Sequence, residues 1–131
     1  MHAPRDADPL RPFELGFART DLRRRLVDAV LRGEKTATSS LREEYAPHSD
    51  QPLPRAGDRG ALVDFSDEPV GVVEVTEVSV LPLASVDLQF AIDEGEGFTS
   101  VAEWREAHVR FWTPREVHES TLIVCERFRL L

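Results

Sequence analysis

DLRRRLVDAVLRGEKTATSSL, residues 21–41, places a helix, its stop signal and a strand in direct succession. Leu22, Leu26, Val27, Val30 and Leu31 recur at the spacing of one helix face, and Thr20 or Asp21 supplies a side-chain oxygen to cap the first turn. The spacing predicts a helix from about Asp21 to Arg32, ended by Gly33, which adopts positive φ without steric cost. Lys35 to Leu41 is small and β-branched, the composition of a strand. Arg19, Arg23, Arg24, Arg25 and Arg32 make the helix the most basic part of the chain, a face for phosphates or, the better-supported reading, a solvated outer face.

Outward from this unit, residues 1–12 carry Pro4, Pro9 and Pro12 without apolar periodicity and read as a flexible N-terminal tail, leaving 13–131 as one domain. Phe13 to Phe17 reads as a short strand or a packed arm. Arg42 to Asp58, with Pro47, Pro52, Pro54 and Gly57, is a long surface loop. Gly60–Phe65 and Val70–Leu81 form a hairpin about the turn Ser66 to Pro69. Ser85 caps a predicted helix to about Glu94, Ser100 with Glu103 opens another to about Trp112 through a capping box, and Ser120–Leu131 alternates as a strand able to lie centrally in a sheet. Four or five strands, three helices and no βαβ rhythm define an α+β fold, most economically a small β-barrel with flanking helices.

The 131 residues are 41% hydrophobic and 31% charged, enough for one domain with its own core. Cys125 is the single cysteine, so no intrachain disulfide forms and a reducing, cytoplasmic setting is expected. No apolar run reaches the roughly 18 residues of a membrane span, and the first residues lack the apolar segment of a signal peptide. A net charge of −8 argues against tight, sequence-blind binding to a phosphate backbone. Among the 16 basic residues 15 are arginines, and the one lysine is Lys35. Lysine can act as base or nucleophile, which guanidinium cannot.

No zinc-protease motif, phosphate-binding loop or dinucleotide fingerprint is present, and His108 and His118 are too weakly arranged to predict a metal. Three places break local rules. Lys35 and Thr38 stand where a glycine-ended helix hands over to a strand. They meet only if the strand is bulged or still turning at its start, because residues three apart on an ideal strand face opposite sides. Asp93, Glu94 and Glu96 collect at a predicted helix C-terminus, where the macrodipole disfavours acids, and Gly95 and Gly97 allow close approach. Trp104, His108 and Phe111 share one helix face, with Arg105 and Trp112 to its side: a core stripe or a platform for a base.

Taken in order, Gly33-x-Lys35-x-x-Thr38, the proline-rich loop ending at Gly57-Asp58, Phe90-Ala91-x-x-Glu94-Gly95-Glu96-Gly97, Trp104-Arg105-x-x-His108 and Val124-Cys125-x-x-Phe128 resemble the ASCH-domain family over about Phe13 to Leu131. The resemblance implies a PUA-like barrel with a cleft flanked by helices, linked to RNA or modified nucleosides. Some members are amidohydrolases that deacetylate N4-acetylcytidine with a lysine, a threonine and a glutamate, which map by motif to Lys35, Thr38 and Glu94. On that reading Thr38 attacks the amide carbonyl, Lys35 takes its proton and Glu94 assists the leaving amine. Ser39, Ser40, Tyr45, Trp104, Arg105 and His108 form the candidate substrate-binding set. Ser40 stands where the small amidohydrolases carry arginine, which marks another branch. No cofactor and no metal are expected. The expected partner is a modified nucleoside or RNA, with no DNA and no membrane, and the protein is a monomer or homodimer. The alternative function is an RNA-binding module or a ribonuclease.

Overall fold

The computed structural model describes residues 10–131, so most of the expected tail lies outside the described residues. Five strands, β1 (Pro12–Phe13), β2 (Ala37–Leu41), β3 (Arg59–Val63), β4 (Pro69–Pro82) and β5 (Leu122–Leu130), form one sheet in the order β1-β3-β4-β5-β2. Only β1 and β3 are parallel. The long β4 shifts register between Val75 and Glu77, and a bulge of this kind bends a strand and raises its twist. The sheet curls into a half-barrel with three helices: α1 (Asp21–Leu31), α2 (Leu88–Asp93) and α3 (Val101–Trp112). This is the α+β architecture expected from the strand and helix count. Among the described residues no helix is long and apolar enough to cross a membrane.

Two cores fix the helices. Leu26, Val27 and Val30 of α1 pack with Leu15, Leu62, Val73 and Phe128. On the other side, Phe90 and Ala91 of α2 and Trp104 and Trp112 of α3 pack with Ala37, Leu41, Ile123 and Cys125. Ile123 through Glu126 are all buried, because β5 is paired on both edges and covered on both faces.

The caps of α1 and α3 follow the sequence: the Thr20 hydroxyl accepts from the Arg23 amide at 3.1 Å and Ser100 from that of Glu103 at 3.1 Å. The start of α2 does not. Leu83–Ser85 is a single 3₁₀ turn, and Asp87, not Ser85, caps α2 by accepting from the Phe90 amide at 2.9 Å. Asp at this position also complements the macrodipole, which a serine does not.

The basic helix is largely neutralised within the fold. Arg23 is fully buried, its guanidinium donating to the Leu15 carbonyl at 2.6 Å and to Asp67 at 3.0 Å, so it ties α1 to the N-terminal arm and to the β3–β4 turn. Arg24 and Arg25 reach Asp21 at 3.8 and 3.4 Å, Arg32 reaches Glu34 at 3.0 Å, and Arg24 also lies over the Phe65 ring.

Candidate functional site

The link from α1 to β2 builds the centre of the site. Gly33 takes φ +81°, and the Lys35 and Thr36 amides are bonded to the Ala29 and Asp93 carbonyls at 3.1 and 2.8 Å. Lys35 therefore precedes the strand, and the alternation that would have separated it from Thr38 does not govern it. Its side chain is buried, and Nζ donates to the carbonyls of Ala37 and Glu94 at 2.9 and 3.1 Å and to Glu94 Oε1 at 3.5 Å.

Glu94 arrives from the C-terminal cap of α2. The following residue, Gly95, sits at φ +72°, and a Cβ there would lie 2.7 Å from both the Glu34 carbonyl oxygen and Lys35 Cα. The glycine is what lets the α2 end press against the Lys35 backbone. The other carboxylate oxygen of Glu94, Oε2, accepts from Ser39 Oγ at 2.9 Å and from the Trp104 indole N–H, and lies 3.4 Å from His108 Nε2. His108 stacks on Trp104 at 4.3 Å between ring centroids, with Nδ1 2.8 Å from the Trp104 carbonyl oxygen.

The electrostatics follow from these contacts. Burial alone would raise the Glu94 carboxyl, but the Lys35 charge and the hydrogen bonds from His108 and Trp104 outweigh it and hold Glu94 at about 2. Burial likewise works against a charged His108, yet the Glu94 carboxylate prevails and raises it above its ordinary value. With its proton on, His108 donates from Nδ1 to Trp104 and from Nε2 to Glu94.

These charges lie at the floor of a cleft of about 570 Å³ whose wall includes Leu22, Leu26, Phe17, Phe111 and Trp112. Thr38, Ser39 and Ser40 all line it. Thr38 stands opposite Glu126 and Ser39 opposite Cys125, so the two hydroxyl residues belong to opposite faces of the edge strand β2. Among the described residues Ser39 bonds to Glu94 and Ser40 to the Tyr45 hydroxyl at 2.6 Å, while no hydrogen bond from the Thr38 hydroxyl is present. Tyr45 is buried, which pushes its phenol up to about 12.

The structure thus gathers Lys35, Ser39, Glu94, Trp104 and His108 into one bonded cluster and places Thr38 and Ser40 on the same cleft. Trp104 has no exposed surface, so its ring stacks on His108 and its N–H holds Glu94. Arg105 is not part of this cleft. It borders a separate depression with Val117 and His118, 3.8 Å from Glu119. The helical stripe of α3 is also shifted from the expected one: Trp104, His108 and Trp112 form the buried line, and Phe111 stays at the cleft edge. Phe17, which the sequence marked only as the end of an arm, stacks on Phe111 at 5.8 Å.

Of the acids, Asp93 pairs with Arg127 at 2.7 Å, Glu94 forms the floor, and Glu96 stands exposed at the cleft. One ligand atom each from Glu94, Glu96 and His108 lies within 4.8 Å of the others, the group best placed among the described residues to hold a metal. The Glu94 oxygens in that group are already engaged by Lys35, Ser39, Trp104 and His108.

A curled half-barrel with a cleft between its edge strand, the N-terminal arm and α3 defines a PUA-like α+β domain. The chain belongs to the ASCH domain family, whose pattern matches residues 14–131. It is similar to the crystal structure of an ASCH domain from Lactobacillus crispatus JV V101, with a TM-score of 0.81 and 28% identity over 98% of this chain and 86% of that one. It is also similar to protein EF3133 from Enterococcus faecalis V583, with a TM-score of 0.80 and 27% identity over 90% of this chain and 74% of that one. No curated protein matches it.

Proposed function

We propose that the cleft binds a modified nucleoside of cytidine type and hydrolyses an acyl amide on its exocyclic amine. The observation that carries this reading is the buried Lys35–Glu94 pair at the floor of a cleft with an apolar wall and three hydroxyl side chains. Desolvating two charges is costly, and a buried pair contributes little net stability compared with apolar residues of the same volume. A pair kept at the bottom of an open cleft is therefore best explained by chemistry performed there.

In the proposed reaction a hydroxyl oxygen, from Thr38 by family resemblance or from Ser39 by its contact with Glu94, forms a bond to the acyl carbon. The hydroxyl proton passes to the Glu94 carboxylate only as that C–O bond forms and acidifies the hydroxyl, because a carboxyl held at about 2 takes no proton from a free hydroxyl. The three donor directions of Lys35 Nζ are taken up by two carbonyls and Glu94, which suits it to act as a fixed positive charge rather than as the first proton acceptor. The C–N bond then breaks as Glu94 returns the proton to the leaving amine, and water cleaves the acyl ester, restoring the hydroxyl.

Charge around the cleft favours a neutral nucleoside over a long RNA. Glu14, Glu44 and Glu96 line it against Arg115 and the buried Lys35, and the arginines of α1 are engaged with carboxylates or buried. The test is chromatography of N4-acetylcytidine after incubation with purified protein, beside Lys35→Ala and Glu94→Ala checked for folding by circular dichroism. Deacetylation by the wild type, lost in both folded variants, is the expected result. No turnover by the wild type overturns the hydrolase reading, and nucleoside or short-RNA binding in its place identifies a binding module.

A further inference from the structure

Phe17 and Phe111 are large apolar side chains that belong to neither core and contact one another at the cleft, 68% and 43% exposed. Their rings are 24° from parallel with centroids 5.8 Å apart, although they come from unrelated elements, the arm before α1 and the last turn of α3. Neither is on a loose segment. Gly16 and Arg19 flank Phe17 in the left-handed region, the Phe17 carbonyl accepts from the Thr20 hydroxyl at 2.6 Å, and the buried Arg23 guanidinium holds the carbonyls of Leu15 and Gly16. Phe111 is fixed by the helix whose Trp104, His108 and Trp112 are buried. Two exposed aromatic rings thus project from fixed backbone beside the same cleft whose floor carries the charged cluster.

We propose that Phe17 and Phe111 form a stacking platform for the planar base of the ligand, an inference that rests on the reading of the cleft as a nucleoside site. Aromatic faces stack any base without demanding hydrogen bonds, and rings ordered before binding lose little entropy when they do so. The base lies against the Phe17–Phe111 pair and its acylated edge points down towards Glu94 and the β2 hydroxyls. The ribose then remains on the solvent side. Selection is for a flat heteroaromatic ring, and an N-acyl amine on a saturated sugar is a poor ligand.

The experiment is calorimetric titration with cytidine and with N4-acetylcytidine, run for the wild type, Phe17→Ala, Phe111→Ala and Phe17→Tyr, with kcat and KM measured where turnover occurs. Both alanine variants are expected to weaken binding about 10- to 100-fold, the range that loss of base stacking supplies. The tyrosine variant keeps its ring and is expected to bind as the wild type does. Where turnover occurs, the loss falls on KM rather than kcat. Deacetylation with unchanged KM in both alanine variants overturns the platform and leaves the hydrolase reading intact. Nucleoside binding without turnover, weakened by the alanine variants and rescued by tyrosine, overturns the hydrolase reading alone. A wild type that binds neither nucleoside overturns both.

Discussion

Lys35 is the clearest example of what single residues disclose. One lysine among 15 arginines, two positions after a helix-ending glycine and three before a threonine, stands out in the sequence, and the fold buries it at the floor of the cleft. Its contacts were not legible, since they depend on a carboxylate that the chain delivers 59 residues later. The same holds for the hydroxyls: the KTATSSL run offers four, and only the strand's facing separates them. Ser39 donates to Glu94, whereas Thr38 faces Glu126 across the β2–β5 ladder. On the proposed reaction, trapping the acyl-enzyme at low pH and locating the added mass by peptide mapping distinguishes the two. We expect the attacking residue's alanine variant to lose at least about 100-fold in kcat and all of the adduct, as loss of a nucleophile does. The other alanine variant is expected to retain the adduct. A label on Ser39 assigns the attack to the hydroxyl already bonded to Glu94, and a label on Thr38 requires that side chain to turn towards it.

Among the elements, α1, α3 and the β3–β4 hairpin were readable from periodicity and caps because each is specified by residues close in sequence. The cap of α2 lies two residues beyond the Ser85 that the sequence points to, because two hydrogen-bonding caps, Ser85 and Asp87, compete there and the 3₁₀ turn at Leu83–Ser85 consumes the first. The turn after α2 has a role that its composition only hinted at. The glycines suggest close approach of a carboxylate to a ligand, and what Gly95 brings close is the backbone of Glu34 and Lys35. Gly95→Ala introduces both a strained φ and a Cβ inside van der Waals contact with main chain, which has little room to yield. The expected outcome is a loss of about 2 kcal/mol or more in urea unfolding. Gly97→Ala serves as the control for backbone strain alone, because Gly97 sits at φ +85° with nothing within 4 Å of where a Cβ would stand.

Over the whole molecule, the buried carboxyl of Glu126 links folding to pH. Glu126 is only 7% exposed on the interior strand β5, and burial, with a smaller contribution from Asp58, pushes its carboxyl up to about 7. Because the folded value is the higher one, this group's contribution is fully present below the ordinary carboxylate value of 4.5 and is lost as pH rises through about 7. The expected decline is up to about 3 kcal/mol. Glu126→Gln is predicted to lessen that decline in urea titrations at pH 5 and pH 8, leaving the part that His108, raised by Glu94, adds in the same direction, and a wild type equally stable at both would refute the assignment. Glu94 acts in the opposite sense: its stabilisation is present above 4.5 and is lost as pH falls towards about 2.

Local chemistry in the sequence determined most of the secondary structure, the α+β class and which residues stand out as site candidates, because caps, glycines and hydrophobic periods act over a few neighbours. The tertiary structure alone decided which of those residues meet. It buried Arg23 in a basic helix that reads as solvated, set Arg105 apart from the cleft, made Trp104 a donor to Glu94 instead of a ligand platform, and brought Phe17 onto Phe111. Each outcome depends on packing between segments far apart in the chain, where shape and burial, not local propensity, choose the partner.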